Sequence, residues 1–328
     1  MFHLVMFRPL PPEVQPQLDA RKDVRVTYLN DIYRAPPANE KLAAAIADAD
    51  GVMIRLERID EALLQKAPKL KVVSRYGVGY DLIDVEACTR HGVYVGVLNG
   101  TNDVSVAEHT MMLMLSVARR IIELDASVRA GNWIPNTGRQ SHELVGKRVL
   151  LLGFSRIGSR VARLCRAFGM DVYVSDPAYS ELTIAAEGFK PVTDVMEALP
   201  AMDIVSLHCP LLPSTRKMVD ARFLQRMKKT AWLINTARGA IVDEEALFQA
   251  LSNGTIEAAG LDVLAKEPAS KENPLFGLSN IVFTPHSATH PEECDVRMAE
   301  RGLRNMLDVI DGRPDPRFIV NPELIYRR

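Results

Sequence analysis

A chain of 328 residues exceeds what one ordinary core organises and fits two domains, each large enough to bury a stable interior. Its 40 basic residues against 41 acidic ones leave no net field to favour nucleic acid or an anionic membrane surface, so the expected partner is a small molecule. The four cysteines, Cys88, Cys165, Cys209 and Cys294, are scattered without a CxxC pair; they read as buried thiols of a reducing compartment, and no metal site is expected.

The first residues, MFHLVMFRPLPPE, hold an apolar core too short for a signal sequence, and Arg8 interrupts it. No apolar run approaches the ~18 residues of a bilayer span, so a cytoplasmic location away from membranes is expected. Strand-like runs follow at 3–7, 24–28, 51–55, 70–75 and 93–97, with helix-like spacing between them at 39–47 and 59–66. That alternation predicts a βαβ unit with a parallel sheet. From Ser105 to about Arg129 the helical pattern is apolar on nearly every side, with Met111, Met112, Leu113, Met114 and Leu115 as core filler, and predicts one buried helix. A second strand series lies at 148–153, 171–176, 203–208, 231–236, 258–263 and 280–285. It is rich in Val, Ile and Leu without polar alternation, as in strands covered on both faces. Pro291 to Arg328 reads as a helix and an extended tail, too small for a domain, that must pack on something else.

Within VLLLGFSRIGSRVARLC (149–165), a strand, a turn bearing Gly153 and Gly158, and a helix over 156–169 approximate a dinucleotide-binding fingerprint, with Ser155 where the middle glycine is usual. Gly153 permits a tight turn, Gly158 lets helix and strand pack closely, and the N–H groups of Ser155, Arg156 and Ile157 form an anion site at the helix start. The Ser155 hydroxyl is expected either to donate to a phosphate oxygen or to cap the helix. Asp176, about 20 residues on, can accept hydrogen bonds from an adenosine ribose. Pro177, Ala178 and Tyr179 follow it in place of arginines, so a 2′-phosphate would meet an unscreened carboxylate and NAD is expected over NADP. Alone, such a turn is also compatible with a βαβ unit that binds nothing.

Arg238 in INTARGAIVDEEAL, Glu267 in LDVLAKEP and His286 in VFTPHSAT each follow a predicted strand, where open α/β sheets place ligands. Singly, each has a structural explanation. Together they supply what hydride transfer to a 2-oxo acid demands. A guanidinium grips the carboxylate and polarises the carbonyl, a histidinium protonates the alkoxide that forms, and a carboxylate keeps that histidine charged and oriented.

With SRYGVGYDLIDVEA (74–87), NDVSVAEHTMMLML (102–115), LHCPL and PSTRKM (207–218), these pieces resemble the D-isomer-specific 2-hydroxyacid dehydrogenase family over nearly the whole chain. The resemblance implies an α/β protein of two doubly wound domains. A flavodoxin-like substrate domain would comprise 1–101 plus 291–328, and an inserted Rossmann NAD-binding domain 102–290. It implies Arg238 as carboxylate-binding and electrophilic, Glu267 as the partner of histidine, and His286 as proton donor. Cofactor contacts would come from Gly153, Ser155, Arg156, Ile157, Gly158, Asp176, Pro210, Ala237 and Asp262, the last two at the carboxamide. The backbone at Val78 and Gly79 would hold the substrate carboxylate, with Asn102 nearby. A homodimer joined through the NAD-binding domains is implied, as are hydroxypyruvate, glyoxylate or 3-phosphoglycerate as substrates. VLNGTN (97–102) departs from the family in lacking a proline that often opens the hinge.

Arg55 or Arg58 is expected to read a second anionic group of the substrate, or else to form a solvated surface pair with Glu57 worth ~0–1 kcal/mol. Tyr76 and Trp133 are candidate pocket walls, although core packing is the commoner fate of aromatic residues. The alternative to an enzyme is a catalytically silent, NAD(H)-sensing module of the corepressor type; the presence of Arg238, Glu267 and His286 favours the enzyme.

Overall fold

The computed structural model describes residues 1–29, 38–133 and 140–326. The chain divides into two units, Met1–Asn102 with His290–Arg328, and Asp103–Thr289. Asn102 and His290 therefore both fall in the first unit.

In the first unit, β1 (Phe2–Met6), β2 (Val24–Tyr28), β3 (Gly51–Ile54), β4 (Val72–Arg75) and β5 (Tyr94–Gly96) form a parallel sheet in the order β2-β1-β3-β4-β5, the flavodoxin-like arrangement. Leu42, Ile46, Leu63, Leu64 and Cys88 cover one face. The other face carries Leu4, Met6 and Met53 and is covered by the helix Glu292–Ile310, through Met298, Leu303 and Met306. The short C-terminal segment thus finds its core here. Polar ties add register: the Ser74 hydroxyl donates to the Gly302 carbonyl at 3.0 Å, and the Asn305 amide donates to the Val97 carbonyl at 3.1 Å. Farther on, Asn321 accepts from the Val95 N–H and donates to the Val93 carbonyl, both at 2.9 Å. Residues 327 and 328 of the expected tail lie outside the described residues.

The second unit holds β6 (Arg148–Leu152), β7 (Asp171–Ser175), β8 (Lys190–Pro191), β9 (Ile204–Leu207), β10 (Trp232–Asn235), β11 (Ala258–Leu261) and β12 (Ile281–Phe283). All run parallel, in the order β12-β11-β10-β9-β6-β7-β8. Strand order reverses between β6 and β9, which opens a crevice at their carboxyl ends. The strand β8 has no counterpart among the sequence expectations. It is two residues long and contains a proline, tolerable only because it lies at the sheet edge.

The single helix expected from Ser105 to Arg129 is two helices, Asp103–Arg119 and Ile121–Arg129, broken at Arg120, whose φ of 52° is left-handed. The first buries Met111, Leu113, Met114 and Val117, while Met112 stands exposed. The second buries no residue and exposes Ile121, Ile122 and Val128. The apolar pattern runs across the break, but among the described residues of the unit nothing buries its second half. Among the described residues, no helix is long and apolar enough to cross a membrane.

Candidate active site

The strand β6 ends in Gly153, whose φ of 110° only glycine adopts easily, and a Cβ there would lie 2.6 Å from the carbonyl carbon of His208. A Cβ on Gly158 would lie 2.1 Å from the Gly153 carbonyl oxygen, so both glycines are dictated by close backbone approach. The helix Arg156–Ala167 starts directly behind the turn. Ser155 occupies its N-cap position yet makes no capping hydrogen bond, so the capping role expected of the hydroxyl is not realised. First-turn N–H groups have no carbonyl of their own helix to bond, and with no side-chain cap they could receive an anion. Asp176 follows β7. One of its oxygens accepts from the Phe154 N–H at 2.7 Å and the other from the Ala178 N–H at 2.8 Å. Each oxygen keeps a lone pair for a further donor, which suits a ribose hydroxyl. The glycine turn and the carboxylate are therefore tied together, and the residues fit a dinucleotide. His208 backs the turn; burial pushes its pKa down to about 3, so the ring is neutral, and it pairs with the Ser206 hydroxyl at 2.9 Å. Exposed Pro210 lies just beyond, its carbonyl accepting from the Thr215 hydroxyl at 2.7 Å.

At the end of β10, buried Asn235 braces the next three residues: its oxygen accepts from the Ala237 N–H at 3.0 Å and its amide donates to the Arg238 carbonyl at 2.9 Å. Arg238 bends one guanidinium nitrogen onto the Ala237 carbonyl at 2.9 Å. Behind it, a Cβ on Gly239 would lie 1.9 Å from the Leu264 backbone, so the Arg238 turn and the Leu264 loop are in close contact. That loop carries Glu267. One Glu267 oxygen accepts from the Leu264 N–H at 3.0 Å, and the other lies 2.6 Å from Nδ1 of His286. An ionised carboxylate only accepts, so Nδ1 is the donor. Nε2 makes no hydrogen bond among the described residues and is the nitrogen available for proton transfer.

His286 itself adopts a left-handed backbone, φ 52°. Asp262, 2 % exposed at the end of β11, holds that conformation. Its backbone carbonyl accepts from the His286 N–H at 2.7 Å. Its carboxylate accepts from the Ser287 N–H at 2.8 Å, the Ala288 N–H at 3.2 Å and the Thr284 hydroxyl at 2.6 Å. Burial alone would raise the Asp262 pKa, but hydrogen bonds from His109, Thr284 and the Ser287 N–H outweigh it and hold the carboxyl below the usual range. Sequence reasoning gave no role to His109, Thr284 or Asn235. The available signals were a lone histidine inside the apolar VAEHTMMLML run and polar residues ending otherwise apolar strands.

In the first unit, the N–H groups of Val78 and Gly79, just beyond β4, make no hydrogen bond among the described residues. Asn102 is buried with its side-chain oxygen unpartnered among those residues. Arg55 donates to His290 Nε2 at 3.1 Å. The expected Arg55–Glu57 surface pair does not form: Glu57 is buried and accepts from the N–H groups of Arg55 and Leu56, at 2.6 and 3.0 Å, while Arg58 lies 3.7 Å from Asp60. Tyr76 is a core residue, edge-on to Phe7 and donating to Asp295 at 2.7 Å, and Trp133 is exposed.

Residues 111–288 match the model of the D-isomer specific 2-hydroxyacid dehydrogenase NAD-binding domain. The chain is 37% identical over 320 residues to a glyoxylate reductase of Thermofilum pendens, covering 96% of this chain and 94% of that protein. It is 40% identical over 255 residues to a D-3-phosphoglycerate dehydrogenase of Methanocaldococcus jannaschii, covering 77% of this chain and 48% of that one. The crystal structure of D-lactate dehydrogenase from Aquifex aeolicus, complexed with NAD and lactic acid, superposes with a TM-score of 0.84 at 27% identity, covering 97% of this chain and 98% of that one.

Proposed function

This chain belongs to the D-isomer-specific 2-hydroxyacid dehydrogenase family and is an NAD-dependent D-2-hydroxyacid dehydrogenase; from that premise we propose that it interconverts glyoxylate or hydroxypyruvate with the matching 2-hydroxy acid, His286 serving as proton donor. The observation that carries this assignment is the 2.6 Å contact between His286 Nδ1 and Glu267, which leaves Nε2 open. NADH, when bound, supplies the hydride. As the carbonyl oxygen becomes an alkoxide, Nε2 delivers a proton to it, and Glu267, holding the Nδ1 hydrogen, keeps the ring aimed. Arg238 grips the substrate carboxylate and polarises the carbonyl; its planar fork suits both tasks. The anion cradle of Gly153, Ser155, Arg156, Ile157 and Gly158 takes the pyrophosphate, Asp176 the ribose, Pro210 the adenosine side, and Ala237 with Asp262 the carboxamide. In the first unit, the N–H groups of Val78 and Gly79 and the side-chain oxygen of Asn102, all without a hydrogen bond among the described residues, suit a carboxylate and a donor of the substrate respectively.

Arg55, set against His290, is the residue that supports a second anionic group and hence 3-phosphoglycerate as the rival substrate. The exposed apolar residues Ile121, Ile122 and Val128 support a homodimer joined through the NAD-binding units. Four free cysteines support a reducing, cytoplasmic compartment.

The test follows NADH oxidation with glyoxylate, hydroxypyruvate and 3-phosphohydroxypyruvate, in the wild type and in His286→Ala. A general acid contributes ~10²–10⁴-fold, so kcat should fall by that order while NADH affinity holds. Equal loss of both would make His286 a structural residue. Preference for the phosphorylated substrate would move the assignment to 3-phosphoglycerate.

A further inference from the structure

We propose that His109 is a positioning residue for the proton donor, acting through Thr284 and Asp262 to fix the backbone at His286. The inference rests on His286 being that donor.

All the groups concerned lie in the second unit. His109 sits on the helix Asp103–Arg119, with 13% of its side chain exposed. Its Nε2 is 2.8 Å from the Thr284 hydroxyl and 3.3 Å from Asp262 Oδ1. Thr284 has a single hydroxyl hydrogen and gives it to Asp262 Oδ1 at 2.6 Å. Its oxygen must therefore accept from His109, which assigns the Nε2 hydrogen and gives the relay a direction: His109 to Thr284 to Asp262.

Downstream, Asp262 holds three consecutive N–H groups, that of His286 with its backbone carbonyl and those of Ser287 and Ala288 with its carboxylate. A non-glycine residue keeps a left-handed φ only where its surroundings over-determine it, and at His286 those surroundings are Asp262, the Thr284 carbonyl and Glu267. Asp262 is in turn a buried carboxylate whose charge is tolerable because donors converge on it, and His109 is the one donor to this pair that comes from the helix. The next residue, Thr110, meets the Thr236 hydroxyl at 2.9 Å, two residues before Arg238. One turn of one helix thus braces the ends of β10 and β12, the strands that precede Arg238 and His286. The loss of His109 lets the 284–288 loop relax and moves Nε2 of His286 away from the reacting oxygen. It leaves the pyrophosphate cradle untouched.

The experiment compares wild type, His109→Ala, His109→Gln, Thr284→Val and His286→Ala, by NADH oxidation with the three 2-oxo acids above and by fluorescence titration of NADH. A small misplacement of a catalytic group can cost on the order of 10²-fold, so His109→Ala should lose ~10–100-fold in kcat with KM and NADH affinity within about threefold of wild type. Glutamine places an N–H near the position of Nε2, so His109→Gln should recover most of the loss. Thr284→Val removes the relay hydroxyl at nearly constant shape and should show the same kcat-selective loss; it decides the matter if His109→Ala does not fold. Wild-type kcat in His109→Ala or Thr284→Val, failure of glutamine to rescue, or a loss of NADH affinity in step with kcat would each overturn the proposal. If His286→Ala loses activity while His109→Ala does not, this proposal alone falls. If His286→Ala stays active, the reading beneath it falls as well.

Discussion

Gly153 and His286 both take a left-handed backbone beyond the carboxyl ends of strands in one sheet, the first after β6 with φ 110° and the second after β12 with φ 52°. They are held there by opposite means. At Gly153 the absence of a side chain is the whole device, because the turn closes to within 2.6 Å of the His208 backbone at the point where a Cβ would project. At His286 a side chain is present and must be accommodated, so the strain is borne by partners: Asp262 and Thr284 take the N–H, and Glu267 takes the ring. A geometry set by a missing atom is indifferent to hydrogen-bonding neighbours but admits no substitution. One set by hydrogen bonds can be loosened from a distance.

Three substitutions break or sharpen that contrast. The largest effect is expected for Gly153→Ala, which places a methyl group against backbone that cannot move aside. Overpacking and left-handed strain together should cost roughly 2–5 kcal/mol, read by urea unfolding, and fluorescence titration should find no saturable NADH binding. Near-normal affinity in a folded Gly153→Ala would show that the close approach is not required.

Next comes Asp262→Asn, which keeps the volume but turns a two-oxygen acceptor into one acceptor and one donor facing N–H groups. A loss of ~1–3 kcal/mol is expected, with kcat falling more than NADH affinity. Because the native carboxyl lies below its usual range, the stability it contributes is present above the unfolded carboxylate pKa of ~3.9 and is lost as pH falls through the native value. Wild type and Asp262→Asn should therefore converge in stability on acidification below about pH 4. A gap that stays constant there would mean that the carboxylate charge is not what holds the loop.

The smallest effect belongs to Ser155→Gly. Ser155 makes no cap bond, so its removal costs the helix little; a few tenths of a kcal/mol is expected, with NADH affinity changing by less than tenfold. A gain greater than tenfold would make the serine an obstacle to pyrophosphate approach.

The sequence announces the glycine-type site and hides the hydrogen-bonded one. Gly153, Gly158 and Asp176 are legible because backbone geometry restricts residue type, and the strand runs are legible because burial on both faces removes polar alternation. The strand β8 was missed because two edge residues, one of them proline, leave no periodic signal. The break at Arg120 was missed because the apolar pattern continues past it, and no local rule marks an arginine that will turn left-handed. His109 and Thr284 lie 175 residues apart, and only the packing of the helix Asp103–Arg119 beside β11 and β12 makes them neighbours. Glu57, read as a surface charge, is hidden for a local reason instead: it folds back, buried, onto the N–H groups of Arg55 and Leu56 in its own loop.

The helix Glu292–Ile310 that covers Leu4, Met6 and Met53 is separated from β5 by the entire Asp103–Thr289 unit. During synthesis, the five-stranded sheet consequently emerges from the ribosome with this face covered by Leu10, Val14 and Leu18 of the N-terminal segment but not yet by Met298, Leu303 and Met306. At ~5–20 residues per second, the wait for that helix is roughly 10–40 s. The sheet that begins first is finished last, because the helix that completes its cover is made only after the whole second unit.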